Sequence, residues 1–372
     1  MPRGVDPAWR EWLWKPEAGL TPAEAALRSP LRPLAAAYGL AVRTRAAAYQ
    51  KNWLRSRRLP ARVAVVGNLT VGGSGKTPLA RWLAEKLHAE GRRVALISRG
   101  YAGRRRGPVT VVSRGLGPLA SAEAVGDEPY WLAQNLPGVP VLIGPDRFQV
   151  GEQAIQKFDA THLVLDDGFQ HLQLFRDADV VVLDGRRRWD QEALLPRGRL
   201  REPWSALARA SVLVVNKVVR PQPDLLAWLR RLNPQAPVFF ARYLPAGLFS
   251  LDQEPVSEAT PALAFAGLAE PDYFFELLRG QIELKDQVAF PDHYRYTPAD
   301  LGDLARRAER AGARRLLTTE KDAVRLAGLA LPGLPVQVFK VGLDFFGREA
   351  ECYAAIRARL ADAAPPPARN PS

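Results

Sequence analysis

The sequence predicts an α/β protein: a P-loop NTPase-like parallel sheet with helices on both faces, plus a second, smaller α/β domain. Two observations lead there. From Arg62 onward, apolar bursts alternate with helical stretches in the order VAVVGN, PLARWLAEKLHAEG, VALISRG, VTVVSR, EPYWLAQNL, VPVLIG, GEQAIQKF, THLVLDDG, ADVVVLDG and SVLVVNK. Strands that are apolar throughout need cover on both sides, which helices crossing over a parallel sheet provide. Between the first burst and the first long helix lies GGSGKT, a glycine-rich turn of the kind that cradles phosphate.

Ahead of the sheet, residues 1–58 are expected to form an N-terminal helical segment of the first domain. Within it, residues 31–58, LRPLAAAYGLAVRTRAAAYQKNWLRSRR, read as one helix or two. Leu34, Tyr38, Val42 and Leu54 are apolar; Arg43, Arg45, Lys51, Arg55, Arg57 and Arg58 are basic. Such a segment fits an anionic membrane surface, or equally a helix packed on its own domain with a solvated basic face. The nucleotide-binding domain is expected over 59–235. The pattern dips through VVRPQPD and resumes as PVFFARYLPAGLFSL, an extended linker at 236–255.

A second alternating unit over 256–360 contains ALAFAG, PDYFFELL, QVAFPDH, TPADLGDLARRAERAG, RRLLTTEKDA and VQVFKV, the size of a small α/β domain. The Pro/Ala-rich tail at 361–372, ADAAPPPARNPS, is expected to be disordered.

Composition narrows the function. One cysteine, Cys352, excludes a disulfide framework, and four scattered histidines offer no zinc spacing. A reducing cytoplasm fits. A formal charge of +13 and a pI near 10.1 call for an anionic partner, whether nucleic acid, phosphorylated metabolite or acidic membrane. Neither a membrane span nor export is expected, because no run of about 18 apolar residues occurs and MPRGVDPAWREWLW lacks the apolar core of a secretory signal.

The phosphate loop runs over Thr70, Val71, Gly72, Gly73, Ser74, Gly75, Lys76 and Thr77. Thr70 stands where the pattern G-x-x-x-x-G-K-[ST] opens with glycine, which changes the entry turn without removing the donors. The glycines let backbone N–H groups converge on phosphate oxygens. Lys76 is expected to reach the β- and γ-phosphates, and Thr77 to offer its hydroxyl to Mg²⁺. Pro78 suits the first helical turn, whose positive end faces the anion.

Downstream, THLVLDDGFQH ends an apolar strand on Asp166 and Asp167, where a parallel sheet presents its ligand crevice. Carboxylates there can hold Mg²⁺ opposite Thr77, or cap the next turn. In VLVVNK, Asn216 and Lys217 match the guanine-reading NKxD pattern, but Val219 replaces its aspartate. ATP is therefore the expected nucleotide.

NLTVGGSGKTP, SRGYAG, GDEP, DDGFQH, LLPRGRLREP, FPDHYRYT and TTEKDAVRL, in this order, resemble the tetraacyldisaccharide 4′-kinase family (lipid A 4′-kinase) from about residue 15 to 350. The resemblance implies a cytoplasmic enzyme, peripheral on the inner membrane. Such an enzyme moves the γ-phosphate of ATP to the 4′-hydroxyl of a tetraacylated disaccharide 1-phosphate, giving lipid IVA in lipid A biosynthesis. It also implies a larger P-loop domain and a smaller C-terminal α/β domain, joined by a two-stranded linker, with the active site between them.

Carried over by position, Asp127 of GDEP and His293 of FPDHYRYT match the family's catalytic pair, with Asp127 as base on the sugar hydroxyl and Lys76 assisting. From the residues alone, Asp127 reads equally as a helix cap before Pro129, and a lone His293 reads as structural. Glu128 and Gln170 match positions that help Thr77, Asp166 and Asp167 with the metal. Arg99, Tyr101, Arg147, Arg201 and Glu202 match polar contacts to the acceptor or the transferring phosphate; for Arg147, an exposed arginine is the plain alternative. Ala102 and Arg199 depart from the family's glycine and proline.

Two other readings stand beside this one. The first is a P-loop switch whose basic runs, Arg104–Arg106 and Arg186–Arg188, bind nucleic acid. These runs lack interleaved aromatics, so no nucleic-acid partner is expected. The second is a P-loop kinase of a soluble metabolite. No obligate protein partner is evident.

Overall fold

A computed structural model describes Trp12 and residues 19–100, 107–257, 260–331 and 333–361. It divides into two compact units that interleave along the chain. One comprises the described parts of 1–99, 144–241 and 345–372, the other those of 100–143 and 242–344. Contiguous segments at 59–235 and 256–360 are thus not how the contacts group: residues 100–143 join the C-terminal sheet's unit, and the last helix returns to the first.

The first unit begins with α1 (Pro22–Arg28), started by a capping box between Thr21 and Glu24. Next comes α2 (Leu31–Gln50), a single helix that stops short of the expected end at 58, leaving Lys51, Arg55, Arg57 and Arg58 outside it. Its packed side is lined by small residues: Ala35 and Gly39 are buried, and a Cβ at Gly39 would meet Leu194 at 2.7 Å. Leu34 and Leu40 instead face outward at 56% and 67% exposure.

The sheet that follows contains β1 (Arg62–Gly67), β2 (Val94–Ser98), β5 (His162–Asp166), β6 (Ala178–Asp184), β7 (Val212–Asn216) and β8 (Val238–Phe240), with α3 (Lys76–Ala89) after β1. The six strands are all parallel, in the order β2-β5-β1-β6-β7-β8. β2, β5, β6, β7 and β8 are buried along their whole length, as strands covered on both faces must be. Three helices complete the unit: α6 (Arg147–Phe158), α7 (Pro223–Leu232) and α11 (Glu349–Leu360). α11 packs on β1, β6 and β7.

The second unit holds an antiparallel pair, β3 (Thr110–Arg114) with β4 (Pro140–Ile143). β3 was expected in a parallel sheet; it is an edge strand, half-buried at its start, whose partner runs the other way. Between these strands lie α4 (Ala122–Val125) and α5 (Asp127–Asn135).

The unit's main sheet is β10 (Pro255–Val256), β9 (Arg242–Ser250), β14 (Val336–Asp344), β13 (Arg315–Thr319), β11 (Ala262–Ala266) and β12 (Leu284–Ala289), in that order. The expected linker is therefore extended but not free-standing: β8 closes the first sheet, and β9 pairs antiparallel with β14 and β10.

Alternation along β11 organises the second core. Leu263 and Phe265 point to the side of α9 (Pro298–Ala311), while Ala262, Ala264 and Ala266 point to the side of α8 (Pro271–Leu278). α10 (Glu320–Leu326) follows β13 directly, with Thr319 as N-cap through its bond from the Asp322 N–H. Among the described residues, no helix is long and apolar enough to cross a membrane.

Candidate active site

The first unit gathers its polar groups where β1, β5, β6 and β7 end, the side of a parallel sheet on which ligands bind. β1 leaves the sheet at Gly67, where a Cβ would lie 2.6 Å from Phe169 Cβ and 2.8 Å from its backbone nitrogen. Only glycine lets the phosphate-loop strand approach the turn after β5 so closely. The loop then bends through Gly72 and Gly75 at φ +116° and +92°, and Gly75 serves as N-cap of α3. Val71 N–H donates to Arg199 O, and Thr70 bridges Leu200, so the loop's entry lies along the segment preceding Arg201. The threonine at position 70 is accommodated as a buried bridge residue.

Thr77 Oγ1 donates to Asp166 Oδ2 at 3.0 Å, a buried hydroxyl–carboxylate pair. Asp167 bends back at φ +54° and takes two bonds from Arg201 NH1, at 2.9 and 3.1 Å; Lys76 Nζ stands 3.8 Å away. Gln170 Nε2 donates to Asn68 O and to Glu202 Oε1. Asn68 Nδ2 in turn donates to Ser74 Oγ at 2.9 Å.

Two braces of this loop escaped the sequence reading. Lys217 Nζ donates to Gly73 O and, at 3.0 Å, to Asp184 Oδ2. Asn216 Nδ2 reaches Ser74 O at 3.5 Å. The Asn-Lys dipeptide, considered only as an incomplete guanine reader, thus props the phosphate loop from below. The signal available was its position at the end of a strand in the same sheet.

The remaining sequence-derived residues of this unit divide. Arg99 is exposed at the end of β2. Arg147 is buried and donates to Gly144 O and Pro145 O in its own turn, so it is a scaffold of that turn and not an open arginine. Glu202 is buried against Arg209 at 2.9 Å. Tyr101 lies outside the described residues, as do Ala102 and Arg104–Arg106.

The second unit brings Asp127 and His293 together, although 166 residues separate them in sequence. Asp127 is the first residue of α5, and the N-cap position is taken by Gly126 at φ +95° with no side-chain cap. The capping alternative therefore fails, and the carboxylate is free to point away from its helix. Its Oδ2 lies 3.2 Å from His293 Nδ1 and 2.7 Å from Arg325 Nε. His293 sits in the left-handed region at φ +59°, its N–H on Gly267 O, a strained placement of the kind found at functional sites.

Partial burial pushes Asp127 up, but hydrogen bonds from His293 and Arg325 outweigh it and hold the carboxyl below its ordinary range. The hydrogen bond to Asp127 raises His293 above its ordinary value, against desolvation, with Asp292 adding to the rise. Glu128, next in line, is paired with Lys321 Nζ. Lys321 and Arg325, four apart on α10, thus face the two acids that open α5.

The donor set that Mg²⁺ would need in the first unit is a hydroxyl and a carboxylate, hard oxygens that suit it. Thr77 and Asp166 supply that set. Asp167 and Gln170 are bonded to protein groups, and Glu128 to Lys321. Among the described residues, no cluster of three His, Cys, Asp or Glu side chains is placed to hold a metal ion.

A family profile described as tetraacyldisaccharide-1-P 4′-kinase matches residues 27–361. A tetraacyldisaccharide 4′-kinase of Anaeromyxobacter sp. (strain K) is 40% identical over 99% of this chain and 98% of its own length. One from Pelobacter propionicus is 41% identical over 82% of this chain and 84% of its own. The crystal structure of the "apo" form of LpxK from Aquifex aeolicus in complex with ATP superposes with a TM-score of 0.72 at 31% identity, covering 90% of this chain and all of that one.

Proposed function

Because the chain belongs to the tetraacyldisaccharide-1-P 4′-kinase family, we propose that it transfers the γ-phosphoryl group of ATP to the 4′-hydroxyl of a tetraacylated disaccharide 1-phosphate, with Asp127 as the base. The observation that carries the assignment of the base is the Asp127 Oδ2–His293 Nδ1 contact of 3.2 Å. It turns a helix-opening acid away from capping and toward chemistry.

A sugar hydroxyl is a weak nucleophile, and a carboxylate kept ionised at neutral pH can accept its proton as the O–P bond forms. Desolvation opposes that ionisation at Asp127, while His293 and Arg325 favour it and prevail. His293 orients the carboxylate through Nδ1. In the other unit, the N–H groups of Gly72 to Thr77 at the start of α3 bind the triphosphate, and Lys76 neutralises charge gathering on the transferred group. Thr77 and Asp166 would hold Mg²⁺, which when bound offsets phosphate charge. Arg201, fixed by Asp167, and exposed Arg99 are the proposed polar contacts to acceptor or phosphate.

The acceptor is amphiphilic, so it has to be met at a membrane surface. The charge of +13, the outward Leu34 and Leu40 of α2, and Trp53 at 72% exposure support peripheral contact with an anionic leaflet from the cytoplasmic side.

Purified protein with ATP, Mg²⁺ and the tetraacyldisaccharide 1-phosphate in detergent is expected to yield a bisphosphorylated lipid. Unchanged lipid under those conditions refutes the reading. Asp127→Ala is expected to lower kcat about 100-fold or more while the Kd for ATP stays near the parent value.

A further inference from the structure

Arg325 bridges several groups of the second unit. Only 5% of it is exposed, yet its guanidinium meets four different groups. Nε donates to Asp127 Oδ2 at 2.7 Å, and NH2 lies 3.2 Å from His293 Nδ1. NH1 donates to Gly267 O at 3.0 Å and to Asp322 Oδ1 at 2.8 Å.

The far side of this fork is rigid. Asp322 is fully buried; its carboxylate takes bonds from Gly267 N–H, Tyr296 OH and Thr319 Oγ1, and its own N–H donates to Thr319 Oγ1. Gly267 is closely packed: a Cβ there would lie 3.0 Å from Tyr296 OH and 3.1 Å from Asp322 Oδ1. Its carbonyl receives both Arg325 NH1 and the His293 N–H. One backbone carbonyl thereby registers both partners of Asp127 against each other.

Both contacts to Asp127 fall on Oδ2. A carboxylate pinned through one oxygen presents the other in a fixed direction. We propose that Arg325 is a positioning residue that, together with His293, fixes Asp127 by Oδ2 so that Oδ1 is the atom that takes the proton of the acceptor hydroxyl. The inference rests on Asp127 being the base. The step balances: the hydroxyl O–H bond breaks, its proton passes to Oδ1, the oxygen bonds to the γ-phosphorus, and the bond from that phosphorus to the β–γ bridging oxygen breaks, releasing ADP.

Lysine at 325 would keep a positive charge but cannot reach Oδ2 and Gly267 O at once, since a point ammonium lacks the planar fork. The requirement is therefore for geometry as well as charge.

The test is a double-mutant cycle on the full-length enzyme with Asp127→Asn, Arg325→Ala and the combination, measuring kcat and the KM for ATP, with Arg325→Lys alongside and thermal melts of all variants. Arg325→Ala is expected to lower kcat about 10- to 100-fold, in the range of couplings between contacting residues, with the KM for ATP changed less than about twofold. Added guanidinium ion is expected to restore part of that loss, and Arg325→Lys to retain less than a tenth of parental kcat while melting near the parent. In the Asp127→Asn background, Arg325→Ala is expected to cause no further loss. An equal loss in both backgrounds, or a kcat within twofold of the parent for Arg325→Ala, overturns the proposal. If Asp127→Asn alone keeps parental turnover, it is the assignment of the base that falls.

Discussion

Replacing Lys217 with methionine tests whether the Asn-Lys dipeptide holds the phosphate loop. The ammonium lies 3.0 Å from Asp184 Oδ2, and the two side chains are only 7% and 1% exposed. At that distance the gross attraction at an effective dielectric of 20 is about 5 kcal/mol. Removing one partner of a buried pair typically costs about 3–5 kcal/mol, because the other charge is left in a poor solvent. Arg187 Nε stands 3.8 Å from the same carboxylate oxygen and offsets part of this, which places the expected cost near the lower end, about 3 kcal/mol. For a unit of this size, each kcal/mol lowers the melting temperature by about 2–4 °C, so a drop of about 6–12 °C is expected. The same ammonium donates to Gly73 O, so the variant should also show a raised KM for ATP. Differential scanning calorimetry and ATP titration read the two effects. A melt within about 2 °C of the parent together with an unchanged KM would refute the argument, because it would mean that the ion pair is solvated and the loop does not rest on it.

Two further outcomes are expected in the first unit. Thr77→Ala removes the hydroxyl that meets Asp166 Oδ2 at 3.0 Å; it is expected to raise the half-saturating Mg²⁺ concentration for turnover about tenfold or more, with Thr77→Ser close to the parent, and equal Mg²⁺ curves for all three would contradict the metal assignment. Burial, then the Arg147 guanidinium, pushes His171 down to about 4, with Arg176 and Arg45 acting in the same direction against Asp146; the folded protein thus binds fewer protons than the unfolded chain, and stability falls as pH drops from about 6.5 toward 4. His171→Gln is expected to lose less melting temperature than the parent between pH 7.5 and 5, and parallel curves would remove His171 as the cause.

The phosphate loop was legible because its chemistry is local. A strand, a glycine-rich turn and a helix start lie within one short stretch, and Thr77, in the first turn of the helix after β1, meets Asp166 at the end of the adjacent parallel strand β5. The Asp127–His293 pair has no such local signal. Its members are 166 residues apart, so only the ordered family motifs pointed to it. Arg325 lay inside one of those motifs, TTEKDAVRL, yet its role depends on α10 facing α5, a tertiary fact that spacing does not encode. The helix α7 was passed over because Pro221 and Pro223 read as a break. Pro223 instead opens that helix, where a missing N–H costs nothing, and Leu225 and Leu229 form its buried stripe. β9 read only as part of an extended linker because its partner β14 comes almost a hundred residues later in the chain.

Most of the acids singled out by sequence are held by cations, and the strength of each hold separates fixed groups from movable ones. Arg201 bonds Asp167 at 2.9 and 3.1 Å, and Arg209 meets buried Glu202 at 2.9 Å; moving either arginine to a phosphate would break charge-assisted hydrogen bonds. Lys76 stands 3.8 Å from Asp167, beyond hydrogen-bond reach, so its ammonium can swing onto an arriving phosphate without breaking one. The short contact fixes a guanidinium as part of the wall, and the long one leaves the loop's lysine available. Under the proposed function, Lys76 of the first unit is therefore expected to move with the transferred group and Arg201 to stay on Asp167.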